Sequence, residues 1–198
     1  MKNFLKIMEK EKQLEELNTE EANRIFNKNK EWGEIWLGGI FLPTYYQHQY
    51  NIVFIGLQPS ENLLKKPHLK FLGNFNISSC DKKFQNQLVE FGFGGSYVTD
   101  IVKLQRDSKA RPNREDIEFF LSFLKRELEI IKPQIIVSLG VTETYDILKN
   151  YKKELNITKL AKVYHPAYVC QYNKFKEWDK QFKKIYEIVS NNSVIEKK

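Results

Sequence analysis

The stretch NIVFIGLQPS, residues 51–60, decides the fold that the sequence predicts. Its apolar and β-branched part, from Ile52 to Gly56, is too short to need a helix and is typical of a buried strand. Gly56 permits a backbone turn, and Pro59 fixes φ and lacks a donor, so we expect the strand to end here. Polar side chains follow just past its carboxyl end, which is where open α/β sheets bind ligands.

Three further strands are predicted downstream, with helical patterns between them. The strands are expected at 97–102, 135–140 and 159–164, and the helices at 84–91, 115–131, 142–152 and 173–189. Residues 2–30 predict one or two amphipathic helices, the second beginning near Thr19. Strands that alternate with helices indicate a parallel sheet covered on both faces. We therefore expect an α/β fold, a three-layer α/β/α sandwich with a central four-stranded parallel sheet.

Length and composition predict one domain. The 198 residues are 41% hydrophobic and 14% aromatic, which is enough for a substantial core. We assign 1–198 to this domain, with 1–50 as a helical and aromatic N-terminal extension packed on it. No apolar run approaches the ~20 residues that span a bilayer, and the N-terminus lacks an apolar signal core. These features predict a cytoplasmic protein without a membrane partner. We expect a monomer, although no feature of the sequence decides the oligomeric state.

Charge and cysteine content limit the partners and cofactors. The net charge of +7 suits a polyanion, because neutralising phosphates releases counterions. The two cysteines, Cys80 and Cys170, do not form a Cys-x-x-Cys pair, and two thiolates cannot complete a four-thiolate zinc or iron–sulfur site. We expect reduced thiols and no metal site.

The predicted strands deliver chemically useful residues to one edge of the sheet. Gln58, Asp100, Gly140 and His165 follow or end the four strands. A carboxylate in an apolar strand is costly to bury unless it is paired or functional, and this singles out Asp100. Their convergence predicts a site at the carboxyl edge.

Four segments, in this order, resemble motifs of the uracil-DNA glycosylase superfamily. They are Gly56-Leu57-Gln58-Pro59-Ser60, the strand 97–103, the strand 132–140 and His165-Pro166-Ala167. The resemblance runs from about residue 51 to 170. It implies a four-stranded α/β/α sandwich that flips a damaged base out of DNA and hydrolyses its bond to the sugar, with no cofactor. One branch of the superfamily carries an iron–sulfur cluster, but this chain has Leu104 where that branch often has cysteine, and too few cysteines.

The resemblance also implies catalytic roles. His165 is expected to stabilise the oxyanion that develops on the leaving base, with plain backbone hydrogen bonding as the alternative. Gln58 falls where the family places a water-activating Asp or a water-positioning Asn, and an amide can only orient water. Either positioning suffices, or another carboxylate such as Glu61 serves, or the chain binds a base without cutting.

Asp100 stands where the family has an Asn that reads uracil. An ionised Asp only accepts hydrogen bonds, which suits the N4 amino group of cytosine, and a protonated Asp100 could also donate to N3. We therefore expect a cytosine-derived target. Because removing plain cytosine would destroy the host genome, the target should carry a distinguishing group, such as a bulky modification on phage DNA. An enzyme of this kind would act in phage defence.

The remaining site predictions concern the base pocket and the DNA backbone. Phe75, Gly56 and Ser60 are expected at the base, Phe75 as a stacking platform or else as core. The expected contacts to single- or double-stranded DNA are Lys103, Arg106, Arg111, Arg114, Tyr168 and Lys174. A solvated charged loop is the alternative for the basic residues. Three other functions stay open: a uracil-DNA glycosylase of base-excision repair, a non-catalytic DNA-binding relative, and an unrelated nucleotide-binding α/β protein.

Overall fold

The computed structural model describes residues 2–32, 49–59, 78–103 and 111–195. This part of the chain alternates helices with short strands. In chain order the elements are α1 (Lys2–Trp32), β1 (Gln49–Gly56), α2 (Ser79–Glu90), β2 (Ser96–Asp100), α3 (Arg114–Ile131), β3 (Ile135–Leu139), α4 (Glu143–Asn150), β4 (Leu160–Val163), α5 (Pro166–Tyr172) and α6 (Phe175–Ile195).

The four strands form one parallel sheet in the order β2-β1-β3-β4. Gly56 of β1 pairs with Asp100 of β2, and Val137 of β3 pairs with both Phe54 and Ala161. All carboxyl ends therefore meet at one edge of the sheet. The predicted fold, a four-stranded parallel sheet flanked by helices, is confirmed.

Alternation along β1 distributes the core to the two faces of the sheet. Val53 and Ile55 join a buried cluster with residues of α1, α3 and α4, whereas Ile52 and Phe54 join a second cluster with residues of α2, α5 and α6. Helices cover both faces because β1 is apolar on both sides, as a central parallel strand must be. The sheet is thus the middle layer of three.

Helix α3 is the main cover of the first face. It begins with a capping box in which Asn113 and Asp116 satisfy each other's backbone amides, and it ends at Lys132 in the left-handed conformation, just before Pro133. Its buried stripe contains Phe120, Leu124, Leu128 and Ile131 at helical spacing, together with Glu127.

Helix α1 runs antiparallel to α3 and is tied to it by polar contacts. Lys10 Nζ donates to the carbonyl of Ile131 at 2.7 Å, and Arg24 Nη2 donates to the carbonyl of Phe119 at 3.0 Å. Arg126 on α3 makes a bidentate ion pair with Glu20, at 2.6 and 2.7 Å. These contacts place the N-terminal half of α1 near the amino edge of the sheet.

The helices differ in detail from the expectations. Of the one or two helices expected over 2–30, the structure has one, and α1 continues through Thr19, whose hydroxyl donates back to the carbonyl of Glu15 at 3.0 Å. The short helix α5 was missed, and the last helix begins at Phe175 instead of at 173. Among the described residues, no helix is both long and apolar enough to cross a membrane.

Candidate active site

The ends of β1 and β2 are locked together at the carboxyl edge of the sheet. The amide of Ile101 donates to the carbonyl of Gly56, and the amide of Val102 donates to that of Leu57, both at 2.9 Å. The expected turn follows Gly56, which stays in the strand, and the chain bends at Leu57 and Gln58. Gln58, half-buried, therefore lies beside the segment that follows Asp100, and Asp100 itself is only 3% exposed.

His165 lies two residues beyond β4, at the N-cap of α5. Its backbone is extended, Pro166 occupies the first helical position, and its Nδ1 accepts the amide hydrogen of Ala167 at 3.2 Å. This is the physical reason for the order His-Pro-Ala, because a cap must accept an amide and proline suits the first turn. Nδ1 needs a lone pair for this bond, so the neutral ring carries its proton on Nε2, which is a donor.

Burial controls the protonation of His165. Desolvation lowers the pKa of this imidazole, and the nearby carboxylate of Asp81 opposes that shift with a smaller effect. The ring is therefore held neutral at physiological pH. A neutral Nε2–H is suited to donate a hydrogen bond to an oxygen on which negative charge develops.

The space between Asp100 and His165 is set by the sheet. Their strands, β2 and β4, are the two outer strands and are three interstrand steps apart, or about 14 Å between axes. At the end of β3, Gly140 has φ +132° and its amide donates to the carbonyl of Val163 at 2.8 Å. A Cβ there would lie 3.0 Å from Thr144 Oγ1, so only glycine fits this turn. Two polar groups thus lie on opposite sides of the carboxyl edge, with the ends of β1 and β3 between them.

Lys103 corrects one sequence-based prediction. It was expected to contact a DNA phosphate, but its side chain is fully buried and its ammonium pairs with Glu127 at 2.6 Å. A charged group this deep cannot reach the DNA backbone. A buried ammonium needs a counter-charge, and Glu127 supplies it.

Arg111 and Arg114, which were also expected to contact DNA, are exposed. Arg111 Nη1 lies 3.1 Å from Glu143 Oε2, and Arg114 Nε lies 2.7 Å from Glu118 Oε1. Glu143 is the first residue of α4, which follows β3, so Arg111 lies at the carboxyl edge. Both ion pairs are solvent-exposed and therefore weak, so both arginines stay available to a phosphate.

A row of tyrosine rings in tilted contact begins just before α5 and continues along it, next to His165. The rings of Tyr164 and Tyr168 are 5.0 Å apart between centroids, and those of Tyr168 and Tyr172 are 4.7 Å apart. Tyr168 is 40% exposed and Tyr172 is 54% exposed. Lys174 follows them and pairs with Glu177 at 3.4 Å. An aromatic and basic surface therefore adjoins the histidine, and the predicted DNA contacts of Tyr168 and Lys174 stay predictions.

Four of the predicted site residues lie outside the described residues. They are Ser60, Glu61, Phe75 and Arg106. Among the described residues, Gly56, Gln58, Asp100 and His165 all lie at the carboxyl edge of the sheet.

The two cysteines were expected to be reduced thiols, but they are joined in a disulfide. Cys80 in α2 and Cys170 in α5 have their Cα atoms 6.1 Å apart, because these two helices pack against each other. Both thiols of the chain are used in this bond, whereas an iron–sulfur cluster needs four thiolates. The residues therefore do not fit such a cluster. In the described part of the chain, no group of three or more His, Cys, Asp and Glu could hold a metal.

Two residues near the site were missed by sequence reasoning. Asp81 forms a capping box with Ser78 at the start of α2 and acts electrostatically on His165. The Ser-x-x-Asp spacing could have indicated this helix start. Glu127 could have been found as a carboxylate on the apolar stripe of α3, which calls for a buried cation.

The fold and these strand ends define an α/β protein with a polar site at the carboxyl edge of its sheet. The family model described as the uracil DNA glycosylase superfamily matches residues 43–189. The chain belongs to this superfamily, so the alternative of an unrelated nucleotide-binding protein is wrong.

Curated relatives and a solved structure agree with this assignment. A type-4 uracil-DNA glycosylase of Archaeoglobus fulgidus is 26% identical over 170 residues, or 75% of this chain and 81% of the relative. A type-4 uracil-DNA glycosylase of Saccharolobus solfataricus is 25% identical over 166 residues, or 72% of this chain and 73% of the relative. The structure of wild-type Pedobacter heparinus SMUG2 matches with a TM-score of 0.51 and 14% identity, over 75% of this chain and 79% of that chain, which shows a similar fold.

Proposed function

We propose that this chain is a DNA glycosylase that flips a modified pyrimidine out of DNA and hydrolyses its N-glycosidic bond, leaving an abasic site. The base that we propose is cytosine-derived. Membership in the superfamily supports the reaction class. The observation that carries the proposed specificity is the buried carboxyl group of Asp100 at the end of β2, on the same edge of the sheet as His165.

His165 is the proposed stabiliser of the leaving group. As the bond between the sugar C1′ and the base nitrogen breaks, both bonding electrons leave with the base, and negative charge develops on the carbonyl oxygen at C2 of the pyrimidine. The Nε2–H of the neutral imidazole donates to that oxygen. A preorganised donor of this kind is commonly worth ~10²–10³-fold in rate.

Gln58 is the proposed water-positioning residue. Its amide cannot take a proton at neutral pH, so it can only orient the water through its oxygen and NH₂ group. The water oxygen bonds to C1′ of the cation-like sugar, and its proton passes to solvent. The departed base takes up a proton from solvent, which balances the reaction as a simple hydrolysis.

Asp100 is the proposed specificity residue. Its carboxylate accepts from an exocyclic amino group, which cytosine carries and uracil lacks. The buried position strengthens this choice, because a buried acceptor without a donor costs more than an exposed one. A modification on the base then separates target DNA from the genome of the host. Acting on modified phage DNA in the cytoplasm as a monofunctional enzyme would make this a defence protein.

A uracil-DNA glycosylase of base-excision repair is the second candidate. It is favoured by the type-4 uracil-DNA glycosylases among the curated relatives. A non-catalytic DNA-binding relative is the third, favoured by Gln58 in place of a carboxylate.

An excision assay on a panel of oligonucleotides separates these candidates. The panel contains uracil, a thymine mismatch, cytosine, hydroxymethylcytosine and glucosyl-hydroxymethylcytosine, in single- and double-stranded form. Alkaline cleavage detects abasic sites, and strand scission without alkali would contradict a monofunctional enzyme. We expect abasic sites at modified cytosine and none at uracil.

Asp100→Asn tests the specificity directly. It should move the ratio of kcat/KM for modified cytosine to that for uracil by ~10–100-fold toward uracil, the value of one base-reading contact. Asp146→Asn, an exposed carboxylate on α4, is the matched control and should leave the ratio unchanged. Cleavage at uracil alone by the unaltered protein would make it a repair enzyme. Binding without cleavage of any base would favour the non-catalytic relative.

A further inference from the structure

Lys103 and Glu127 form a charged pair in the core, next to the end of β2. Both side chains are fully buried, and the ammonium lies 2.6 Å from Glu127 Oε2 and 5.0 Å from the centre of the Phe123 ring. Two hydrophobic residues would fill this space at a lower desolvation cost, so stability alone does not explain the pair.

The three donors of the Lys103 ammonium are all used. One goes to Glu127, one to the hydroxyl of Thr99, and one to the carbonyl oxygen of Asp100 at 2.6 Å. The second oxygen of Glu127 accepts from Tyr97 OH at 2.7 Å and from Thr99 Oγ1 at 3.2 Å. The network therefore holds β2 by both side chains and main chain, and one of its bonds ends on Asp100 itself.

Strand position explains why β2 needs this support. Among the described strands, β2 pairs only with β1, so within this sheet its other side lacks a ladder. Side chains alternate along a strand, so Tyr97 and Thr99 lie on the face of α3, and the side chain of Asp100 lies on the opposite face. The network therefore holds Asp100 through its main-chain carbonyl oxygen and leaves its side chain on the other face of the sheet.

We propose that Lys103 and Glu127 are positioning residues that fix the main chain of Asp100 and thereby set the base selectivity of the site. The inference rests on the proposed function, in which Asp100 reads the base. A hydrogen-bonding site discriminates only when its acceptor is held to within about 0.5 Å. The carboxyl group of Asp100, at the end of an outer strand, is held this closely when its main chain is fixed by the contacts with α3 as well as by β1.

The test uses the double variant Lys103→Met/Glu127→Gln in the full chain. It removes both charges, and the amide oxygen introduced by Glu127→Gln can still accept from Tyr97 OH. The single variant Lys103→Met leaves a buried carboxylate without its counter-charge, so it should melt at a lower temperature than the double variant. The control is Arg126→Met/Glu20→Gln, which removes an exposed ion pair from the neighbouring position of α3.

Amide hydrogen exchange measures the strand end without any substrate. In the double variant, the amides of Ile101 and Val102, which close the junction of β2 with β1, should exchange at least tenfold faster. The amide of Gly140, bonded to Val163 in the other half of the sheet, should change much less. Equal acceleration of all three amides, or none at Ile101 and Val102, would overturn the inference.

Base selectivity is measured in parallel, as excision and as binding to oligonucleotides that carry each base. The double variant should lower the preference for the wild-type target at least tenfold, through kcat more than KM, and the control should not. Unchanged selectivity with a loosened strand end would refute the positioning role. If the unaltered protein cuts none of the bases, the proposed function fails, and the binding preferences together with hydrogen exchange still decide this inference.

Discussion

One side chain, His165, caps a helix and is also the proposed stabiliser of the leaving base. Its Nδ1 caps α5, and this leaves Nε2–H as the donor at the carboxyl edge. The cap bond exists only when Nδ1 is unprotonated, so protonation of the ring costs the helix its cap. The same event would place a positive charge in a poorly hydrated position.

This coupling predicts a pH dependence of stability. Because burial lowers the pKa of His165 in the folded chain, the unfolded chain binds the proton more readily below about pH 6.5. Stability is thus lost as pH falls through that value, by at most about 1.4 kcal/mol per pH unit. His165→Asn keeps a cap acceptor without titrating, so the stability of the wild type relative to this variant should fall between pH 7.5 and 5.5.

Urea unfolding at both pH values measures that difference. The other two histidines are present in both proteins and cancel. The variant should also lose ~10²–10³-fold in kcat, the usual value of one oxyanion donor. Parallel pH dependence of the two proteins would contradict a lowered pKa at His165.

Lys103 shows what sequence reasoning lacks at the residue scale. It follows a predicted strand and is the first of several basic residues in the stretch 103–114. Its charge therefore led us to expect an exposed side chain. Burial is decided by Glu127, which is distant in sequence and becomes its neighbour only when α3 packs on the sheet. The positions of Asp100 and His165 were predictable because each falls at or just past the end of a strand, which local patterns do reveal, and their roles stay predictions.

Among the elements, α2 and α5 are joined by a covalent bond. The disulfide between Cys80 and Cys170 closes a loop with a sequence separation of 90 residues. Bonds of this type commonly contribute about 2–4 kcal/mol, largely by restricting the unfolded chain.

A reductant should therefore lower the melting temperature of the protein by roughly 5–15 °C. Calorimetry with and without dithiothreitol measures the shift. The double variant Cys80→Ser/Cys170→Ser is the control and should melt at the same temperature in both buffers. Two freely labelled thiols in the native protein, with no shift on reduction, would show that the bond does not form.

Predictability differed between elements for physical reasons. β1 and β3 were evident because central parallel strands are apolar on both faces, and α3 because its apolar stripe has the helical period. Helix α5 has only seven residues, too few to display a period, and it begins with proline. At Thr19 the side-chain hydroxyl donates to the carbonyl of Glu15 within α1 instead of capping a new helix, a choice that the local sequence does not reveal.

For the whole molecule, the net charge of +7 predicts that DNA binding weakens with salt. Arg111, with a side chain 79% exposed at the carboxyl edge, is expected to contact a phosphate. Arg111→Gln should then reduce the slope of log K against log salt by about 1.

Fluorescence anisotropy between about 50 and 200 mM salt gives that slope. Lys12→Gln is the matched control, because Lys12 is 77% exposed and lies on α1, toward the amino edge of the sheet. It should leave the slope unchanged. Equal effects of the two variants would indicate diffuse attraction instead of a binding face.

The sheet order has a consequence for divergence within the superfamily. Asp100 ends one outer strand of the sheet and His165 follows the other, and both inner strands separate them. Different elements of the fold therefore hold the two side chains: β2 holds Asp100, and α5 holds His165. Under the proposed roles, a lineage changes the base that it removes by a substitution in β2 and leaves the element that presents the leaving-group stabiliser unaltered, and an engineer can retarget the enzyme in the same way.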